Sequence, residues 1–305
     1  MDFDVIVVGG SFAGLSAAMQ LARARKHVLI LDTGEPRNRF AASSHGFPGQ
    51  DGQAPAEIKA RLQAELSVYA TVSFRQSRAS KAERSGSGFT LWLDDGARLA
   101  CRRLILAYGM RDHLPDLPGL TDRWGATVLH CPYCHGYELD QQPVGVLALN
   151  ELAIHQAMML PDWGQTTLFT QGALDLSSEQ RATLLARGVR IEETPVTGLI
   201  GDAPALSGVR LADGRTVPLA GLFLAPRVTP ASDLAEQLAC AFEDGPTGPY
   251  VAVDPMKAAS VTGVFAAGDL ASPMANATLA AAAGVLAGGA AHRSLIFDPD
   301  LVGKV

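Results

Sequence analysis

Two cysteines, Cys131 and Cys134, are separated by two residues and followed at once by His135. Thiols at this spacing can form a disulfide with each other and reopen it, and Pro132 limits the backbone freedom that is lost when the ring closes. A neighbouring imidazole can hold or remove the proton that thiol–disulfide exchange must move. The pattern predicts a redox-active cysteine pair with His135 as its acid–base group.

Two other interpretations of this stretch remain open. With His130 before the first cysteine, the segment offers four potential metal ligands, and zinc sites do use two residues between cysteines. Adjacent His and Cys side chains point apart on a regular backbone, however, so no metal site is expected. The pair is also compatible with a buried, purely structural disulfide. Cys101 and Cys240 are expected to be inert core thiols.

The composition is that of a globular protein rather than a secreted or nucleic-acid-binding one. Of 305 residues, 48% are hydrophobic and 18% are charged, which is enough chain for two domains with their own cores. The net charge is −6 and no run of Lys or Arg occurs, so we expect no nucleic-acid partner. Four cysteines do not form a secreted disulfide framework, and the acidic start lacks a signal peptide's basic region. A cytoplasmic location is expected.

One segment, residues 274–291, has about the length of a membrane span. It is mostly Ala and Gly with few large apolar side chains, and it contains Asn276. We therefore expect a close-packed helix of a soluble protein and no membrane association.

The first 32 residues have the pattern of a nucleotide-binding βαβ unit. The apolar run 3–8 predicts a buried parallel strand, and residues 27–32 predict a second strand that ends in Asp32. The turn Gly9–Gly14 between them starts a helix, whose N-terminus can bind a pyrophosphate while Asp32 accepts hydrogen bonds from a ribose. Ser11 replaces the second glycine but is small. This turn alone does not separate FAD from NAD.

Strands and helices alternate along the rest of the chain, with Pro- and Gly-rich linkers at residues 113–119 and 243–249. The predicted fold is α/β, with two Rossmann-like (doubly wound) domains, the second inserted into the first. The first domain comprises residues 1–114 and 244–305, and the inserted domain comprises residues 115–243.

Together these features resemble the low-molecular-weight thioredoxin reductase family of flavoproteins. The resemblance covers nearly the full length, and its landmarks are the Gly9–Gly14 turn with Asp32, Gly46-Phe47-Pro48-Gly49, Ala107-Tyr108-Gly109, the cysteine pair, and the tail Gly263-Val264-Phe265-Ala266-Ala267-Gly268-Asp269. It implies an FAD-binding first domain and a homodimer. It also implies that Cys134 faces the flavin and that Cys131 exchanges with the substrate. The run Cys-Pro-Tyr-Cys-His-Gly-Tyr-Glu is more similar to a sub-branch of flavin-dependent dithiol oxidases that close disulfides in small natural products.

The resemblance also implies a set of FAD contacts. Asp269 would bind the ribityl–phosphate region, and the helix that begins near residues 274–277 would point its N-terminus at the flavin ring. Arg39 and His45 lie in a polar loop that either covers the cofactor or substrate or is a plain surface connection. The residues expected to bind the cofactor are Gly9, Ser11, Phe12, Ala13, Gly14, Asp32, Arg39, His45, Gly109, Gly268, Asp269, Asn276 and Ala277.

The inserted domain departs from the family at its second nucleotide motif. At the position of the NADPH fingerprint, residues 148–153 read Ala-Leu-Asn-Glu-Leu-Ala, without glycine and with Glu151 able to repel a phosphate. Residues 171–175, Gln-Gly-Ala-Leu-Asp, offer no cation to a 2′-phosphate. Because charge-assisted phosphate bonds contribute about 1.5–3 kcal/mol each, these losses should cost several kcal/mol, and NADP(H) binding is not expected.

The leading hypothesis is an FAD-dependent dithiol–disulfide oxidoreductase that oxidises a small-molecule dithiol and passes the electrons to oxygen or another acceptor. One alternative is a thioredoxin reductase that reduces a thioredoxin-like protein with electrons from NADPH or another donor. A second alternative is a flavin-bound redox sensor without turnover.

Overall fold

The computed structural model describes residues 2–297 and divides into two compact units. The first unit consists of Met1–Arg39, Ala56–Arg111 and Val228–Val305, and the second of Phe40–Pro55 and Asp112–Arg227. Met1 and residues 298–305, which the domain prediction includes, lie outside the described residues.

The strands, in chain order, have the following bounds. The first group is β1 Phe3–Val8, β2 Val28–Asp32, β3 Val72–Gln76, β4 Ala79–Ser85, β5 Gly88–Leu93, β6 Arg98–Leu106 and β7 Met110–His113. The second group is β8 Val128–Leu129, β9 Gln141–Leu147, β10 Gly164–Phe169, β11 Arg190–Glu192, β12 Val196–Ile200, β13 Gly208–Leu211, β14 Thr216–Pro218 and β15 Gly221–Phe223. The last group is β16 Arg227–Pro230, β17 Phe242–Asp244, β18 Pro249–Val251 and β19 Val264–Ala266.

The α-helices are α1 Phe12–Arg23, α2 Pro55–Ser67, α3 Pro132–His135, α4 Leu152–Met159, α5 Ser178–Ala186, α6 Leu234–Gln237 and α7 Ala277–Ile296. They range from four residues in α3 and α6 to 20 residues in α7.

A seven-stranded sheet forms the centre of the first unit, in the order β3-β2-β1-β6-β5-β4, with β19 paired to β6. The strands β1, β2, β3, β6 and β19 run parallel, and β4 and β5 continue the sheet antiparallel. The apolar run Val5–Val8 is buried, as expected for a parallel strand covered on both faces. The predicted hairpin turn at residues 94–96 joins β5 to β6.

Helices α1 and α7 pack closely against each other in the first unit. A Cβ atom at Gly284 would overlap the carbonyl oxygen of Ala13, and one at Gly288 would overlap that of Ala17. By length and composition alone, α7 is the one helix of residues 2–297 that could cross a membrane. Its packing against α1 accounts for the Ala- and Gly-rich composition, because small residues let two helix backbones approach closely.

The second unit contains a five-stranded parallel sheet in the order β11-β10-β9-β15-β8 and an antiparallel sheet of β12, β13 and β14. Elsewhere β7 pairs with β16 and β17 pairs with β18. Parallel strands that alternate with helices around two separate sheets confirm the predicted α/β class with two Rossmann-like folds.

The compact units differ from the predicted domain bounds at two places. Residues 228–243, assigned from sequence to the inserted domain, cluster with the first unit, while residues 40–55 cluster with the second. The physical reason at 228–243 is apolar burial, because this segment contributes to a core shared with strands of the first unit: Leu234, Ala235, Leu238 and Cys240. Compactness does not by itself define a folding domain, so the domain division stays a prediction.

Candidate active site

The cysteine pair lies at the start of a short helix in the second unit. Cys131 is the N-cap of α3 in an extended conformation, Pro132 occupies the first helical position, and Cys134 lies in the same turn. The two Cα atoms are 5.4 Å apart and the sulfur atoms are joined in a disulfide. The Cys134 N–H donates to the Cys131 carbonyl at 3.3 Å. The turn therefore holds the two cysteines at the Cα separation that a disulfide requires.

Residues outside the pair hold this helix in place. Gly136 lies so close to Trp163 that a Cβ atom would be 2.6 Å from the indole Cδ1. The same indole contacts Tyr133 edge-on, with ring centroids 5.3 Å apart. The buried Gln156 of α4 donates from Nε2 to the His130 carbonyl at 3.0 Å. Nothing in the local sequence pattern marks Trp163 or Gln156, since both are distant in the chain.

His135 is half-buried, and its environment lowers its pKa from the usual value. Burial is the main cause, since it disfavours the charged imidazolium. Glu138 opposes this effect by raising the pKa, and His45 reinforces it. His135 is therefore neutral at neutral pH and able to accept a proton.

The segment Phe40–Pro55 brings His45 to this turn. The His45 Nε2 atom is 3.4 Å from Glu138 Oε1 and 3.0 Å from Ser43 Oγ. Its Nδ1 atom is 3.7 Å from Asp51 Oδ1. From its place in a polar loop, His45 is predicted to bind the cofactor. Within the second unit it lies beside the residues that follow the cysteine pair. Its role toward FAD stays a prediction.

In the first unit, the glycine turn lies at the carboxyl edge of the parallel sheet. Gly9 has φ +113°, and a Cβ atom there would overlap the Ala107 carbonyl. A Cβ atom at Gly10 would lie 2.7 Å from the Cβ of Asp32, and one at Gly14 would overlap the Gly9 carbonyl. Each of these positions therefore requires glycine.

The terminal Gly-Asp motif reaches the same edge, because β19 lies parallel to β6. Gly268 has φ +75°, and a Cβ atom there would lie 2.9 Å from the Cβ of Ala13 at the start of α1. The structure thus brings together the turn and the terminal motif, which are far apart in sequence.

Two cations that the sequence analysis does not assign lie at this edge. Lys59 Nζ is 2.6 Å from Asp32 Oδ2, and an Arg37 guanidinium nitrogen is 2.9 Å from Asp269 Oδ2. Arg39, which was expected to contact the cofactor, donates to the Pro36 carbonyl at 3.0 Å. No local pattern identifies Arg37 or Lys59, because each meets a partner that only the fold brings near.

The remaining predicted cofactor residues are placed as follows. Asn276 is the N-cap of α7, and its Oδ1 atom accepts the Leu279 N–H at 3.1 Å, so Ala277 starts the helix. Gly109 has φ +73° with open space around it. The backbone of Gly109 accepts a hydrogen bond from Ala231 N–H at 3.0 Å.

The residues of the first unit fit a dinucleotide such as FAD. The N-terminus of α1 has no side-chain cap and no acidic residue in its first turn, so its partial positive charge can meet a pyrophosphate. Ser11 is extended there, and Phe12, Ala13 and Gly14 form the first helical turn. The glycine cradle, this uncapped helix end and the Asp32 carboxylate have the geometry that a dinucleotide requires.

The corresponding turn of the second unit is arranged differently. After β9, the Asn150 Oδ1 atom accepts the Leu152 N–H at 3.0 Å, and its Nδ2 atom donates to the Ala225 carbonyl at 2.9 Å. The side chain of Asn150 thus occupies the backbone donor that a phosphate would need at the start of α4. After β10, the Gln171 Oε1 atom accepts the Val196 N–H at 2.7 Å.

The other two cysteines are buried in the first unit. Burial raises the pKa of the Cys101 thiol to about 12 and that of the Cys240 thiol to about 11. Both therefore remain protonated and unreactive at neutral pH. Within residues 2–297, no group of three or more His, Cys, Asp or Glu residues is arranged to hold a metal ion.

Comparisons with known proteins agree with this arrangement. The chain is similar to the thioredoxin reductase sirT of Leptosphaeria maculans, with 32% identity over 303 residues that cover 94% of this chain and 92% of the relative. It is also 32% identical to the thioredoxin reductase tcpT of Claviceps purpurea over 309 residues, covering 97% and 95% of the two chains.

Two crystal structures are similar over nearly the whole chain. The oxidoreductase from Agrobacterium tumefaciens has 51% identity and a TM-score of 0.94, covering 98% of this chain and 100% of that one. The structure of HlmI has 38% identity and a TM-score of 0.92, covering 99% and 94%. The family model of pyridine nucleotide-disulphide oxidoreductases matches residues 3–284. The chain therefore belongs to the pyridine nucleotide-disulphide oxidoreductase family and is an FAD-dependent enzyme of its thioredoxin reductase-like branch.

Proposed function

We propose that this enzyme oxidises a small-molecule dithiol to its disulfide and transfers the electrons to oxygen or another acceptor. The observation that carries the proposal is the contrast between the two nucleotide turns. The first is a glycine cradle, whereas the second has no glycine and Asn150 Oδ1 accepts the Leu152 N–H at the start of α4. This contrast supports a chain that holds FAD but takes its electrons from a donor other than NADPH, and a dithiol is a donor that a cysteine pair accepts.

The exchange begins when a substrate thiol gives its proton to His135 and its sulfur attacks Cys131. The bond between Cys131 and Cys134 breaks, a mixed disulfide forms, and Cys134 leaves as a thiolate. The second substrate thiol then attacks the substrate sulfur bound to Cys131, which closes the product disulfide and releases Cys131. The substrate has lost two electrons and two protons; the cysteine pair holds the electrons, and the protons are on His135 and Cys131.

Bound FAD would supply the two-electron acceptor that lets Cys131 and Cys134 re-form their disulfide. The Gly9–Gly14 turn, Asp32 and Asp269 would hold the cofactor in the first unit. Lys59 and Arg37 would orient the two carboxylates through the ion pairs described above. The cysteine usage favours a cytoplasmic location, and the family resemblance favours a homodimer.

A second candidate function is a thioredoxin reductase, which the names of the relatives sirT and tcpT favour. Tyr133 lies between the two cysteines and Tyr137 follows them, and their exposed side chains, 70% and 86% accessible, could contact either a small dithiol or a protein partner. A sensor without turnover is the third candidate. The source of electrons separates the three.

The test mixes the purified flavoprotein with NADPH or with dithiothreitol under nitrogen in a stopped-flow spectrometer. We expect dithiothreitol to bleach the flavin absorbance rapidly and NADPH to leave it unchanged. Oxygen should then restore the absorbance over many cycles, with one hydrogen peroxide formed per disulfide if oxygen is the acceptor. Rapid bleaching by NADPH would instead support the reductase, and a single reduction without repeated turnover would support the sensor.

A further inference from the structure

His45 has no part in the exchange described above, yet it lies in a cluster of polar groups beside the cysteine pair. Its side chain is 19% exposed and lies near Glu138 at 3.4 Å, Ser43 at 3.0 Å and Asp51 at 3.7 Å. The Asp51 Oδ1 atom also accepts the Gly46 N–H at 2.9 Å, which fixes the backbone that follows His45. The imidazole is thus held on both of its nitrogen atoms.

The segment Phe40–Pro55 contacts the redox helix at a second point. A Cβ atom at Gly46, whose φ is +68°, would lie 3.8 Å from the Tyr133 carbonyl in α3. Glu138 follows His135 by three residues, in the next turn of the chain. The segment therefore meets both the helix that carries Cys134 and the turn that follows His135.

We propose that His45 and Glu138 are positioning residues for His135, with opposite effects on proton transfer at its imidazole. The proposal deepens the proposed function, because it assumes that His135 moves the proton of thiol exchange. Glu138 stabilises the protonated imidazole of His135, and His45 opposes it. Together they keep His135 able both to accept a proton from the substrate thiol and to release it afterwards.

The two residues must act with opposite signs. Glu138 raises the pKa of His135 and His45 lowers it, beside the larger lowering effect of burial. Glu138 and Asp51 lie near these two imidazoles, and Cys131 and Cys134, which precede His135 in the same turn, become titratable thiols once the disulfide opens. A residue with a merely structural role would disturb His135 without producing this pair of opposite effects.

The experiment measures how fast dithiothreitol opens the Cys131–Cys134 disulfide in the FAD-loaded protein, between about pH 5 and 8 under nitrogen. Acid quenching, alkylation and mass spectrometry count the reduced cysteines, so the readout does not depend on oxygen turnover. The rate should rise with pH as His135 becomes neutral. Glu138→Gln should move the midpoint of this rise to lower pH, and His45→Gln should move it to higher pH. Each shift should correspond to about a threefold change in the neutral fraction of His135.

The matched control is His27→Gln, which changes an exposed histidine of the first unit and should leave the midpoint unchanged. All variants should keep the FAD content and melting temperature of the parent protein.

Shifts in the same direction for Glu138→Gln and His45→Gln, or no shift in either, would overturn the proposal. Loss of oxygen-dependent turnover with the opposite shifts intact would refute the oxidase function alone. Because exchange also occurs in a reductase, this result and a failure of the positioning role are distinguishable.

Discussion

At the scale of single residues, His135 is proposed to accept and release the proton that thiol exchange moves. Burial lowers its pKa, with Glu138 opposing and His45 reinforcing this effect, so the neutral base persists at neutral pH. Activity that needs the neutral form is present above the lowered pKa and is lost as the pH falls through it. His135→Gln should therefore slow dithiol oxidation by about 10²-fold or more and remove this acidic limb, as measured by oxygen uptake across pH.

A His135→Gln variant with a parental rate would show that the attacking thiol loses its proton elsewhere. Retention of bound FAD in the variant separates a chemical defect from a folding defect, because the residues proposed to hold the cofactor lie in the first unit.

The residues that could be predicted from sequence are those whose neighbours are local. Cys131, Cys134 and His135 lie within one turn, and Asp32 ends a strand directly after a glycine turn. Lys59, Arg37 and Gln156 were missed because their partners are distant in the chain, so no local sequence pattern indicates their contacts. His45 was noticed, but only the fold places it beside Glu138.

At the scale of elements, the close contact of α1 and α7 depends on glycine. Gly284→Ala would place a methyl group against the Ala13 carbonyl, which is backbone and cannot move aside. We expect a loss of about 1–3 kcal/mol in the free energy of unfolding. Urea denaturation of the FAD-loaded protein measures it.

Gly289→Ala is the matched control in the same helix. Its added methyl group meets nothing within 4 Å, and the position is exposed. Since Ala is favoured over Gly inside helices, this substitution should stabilise the protein by about 0.5–1 kcal/mol. Equal effects of the two substitutions would mean that the two helices do not depend on this close approach.

Elements were predictable where the pattern is continuous and not where charged residues interrupt it. The sequence pattern indicates two separate strands, at residues 98–99 and 103–107, but β6 is one strand, Arg98–Leu106. Arg103 is buried within it, and its guanidinium donates to Ser294 Oγ at 2.8 Å and to the Ser294 carbonyl at 2.9 Å. The strand β4 was missed because its sequence, Ala-Ser-Lys-Ala-Glu-Arg-Ser, turns only two alanines inward.

At the scale of the whole molecule, the chain uses one architecture twice with different contents. In each unit a parallel strand, β1 or β9, leads through a turn into a helix. In the first unit glycines let the turn pack closely against Asp32 and Ala107, and in the second Asn150 Oδ1 accepts the Leu152 N–H at the corresponding turn. The doubling was predictable from the alternating elements. The second turn was predictable only as an absence of glycine, because the Asn150 contact to Ala225 spans 75 residues.

The central claim is that electrons enter the flavin through the cysteine pair. Anaerobic mixing of dithiothreitol with FAD-loaded Cys131→Ser and Cys134→Ser, followed by flavin absorbance, tests it most directly. Both variants should retain FAD but fail to bleach on the timescale of the parent protein. The control Cys240→Ala changes a buried thiol whose raised pKa, about 11, keeps it unreactive at neutral pH, so this variant should bleach normally. Bleaching of either serine variant at the parental rate would contradict the account.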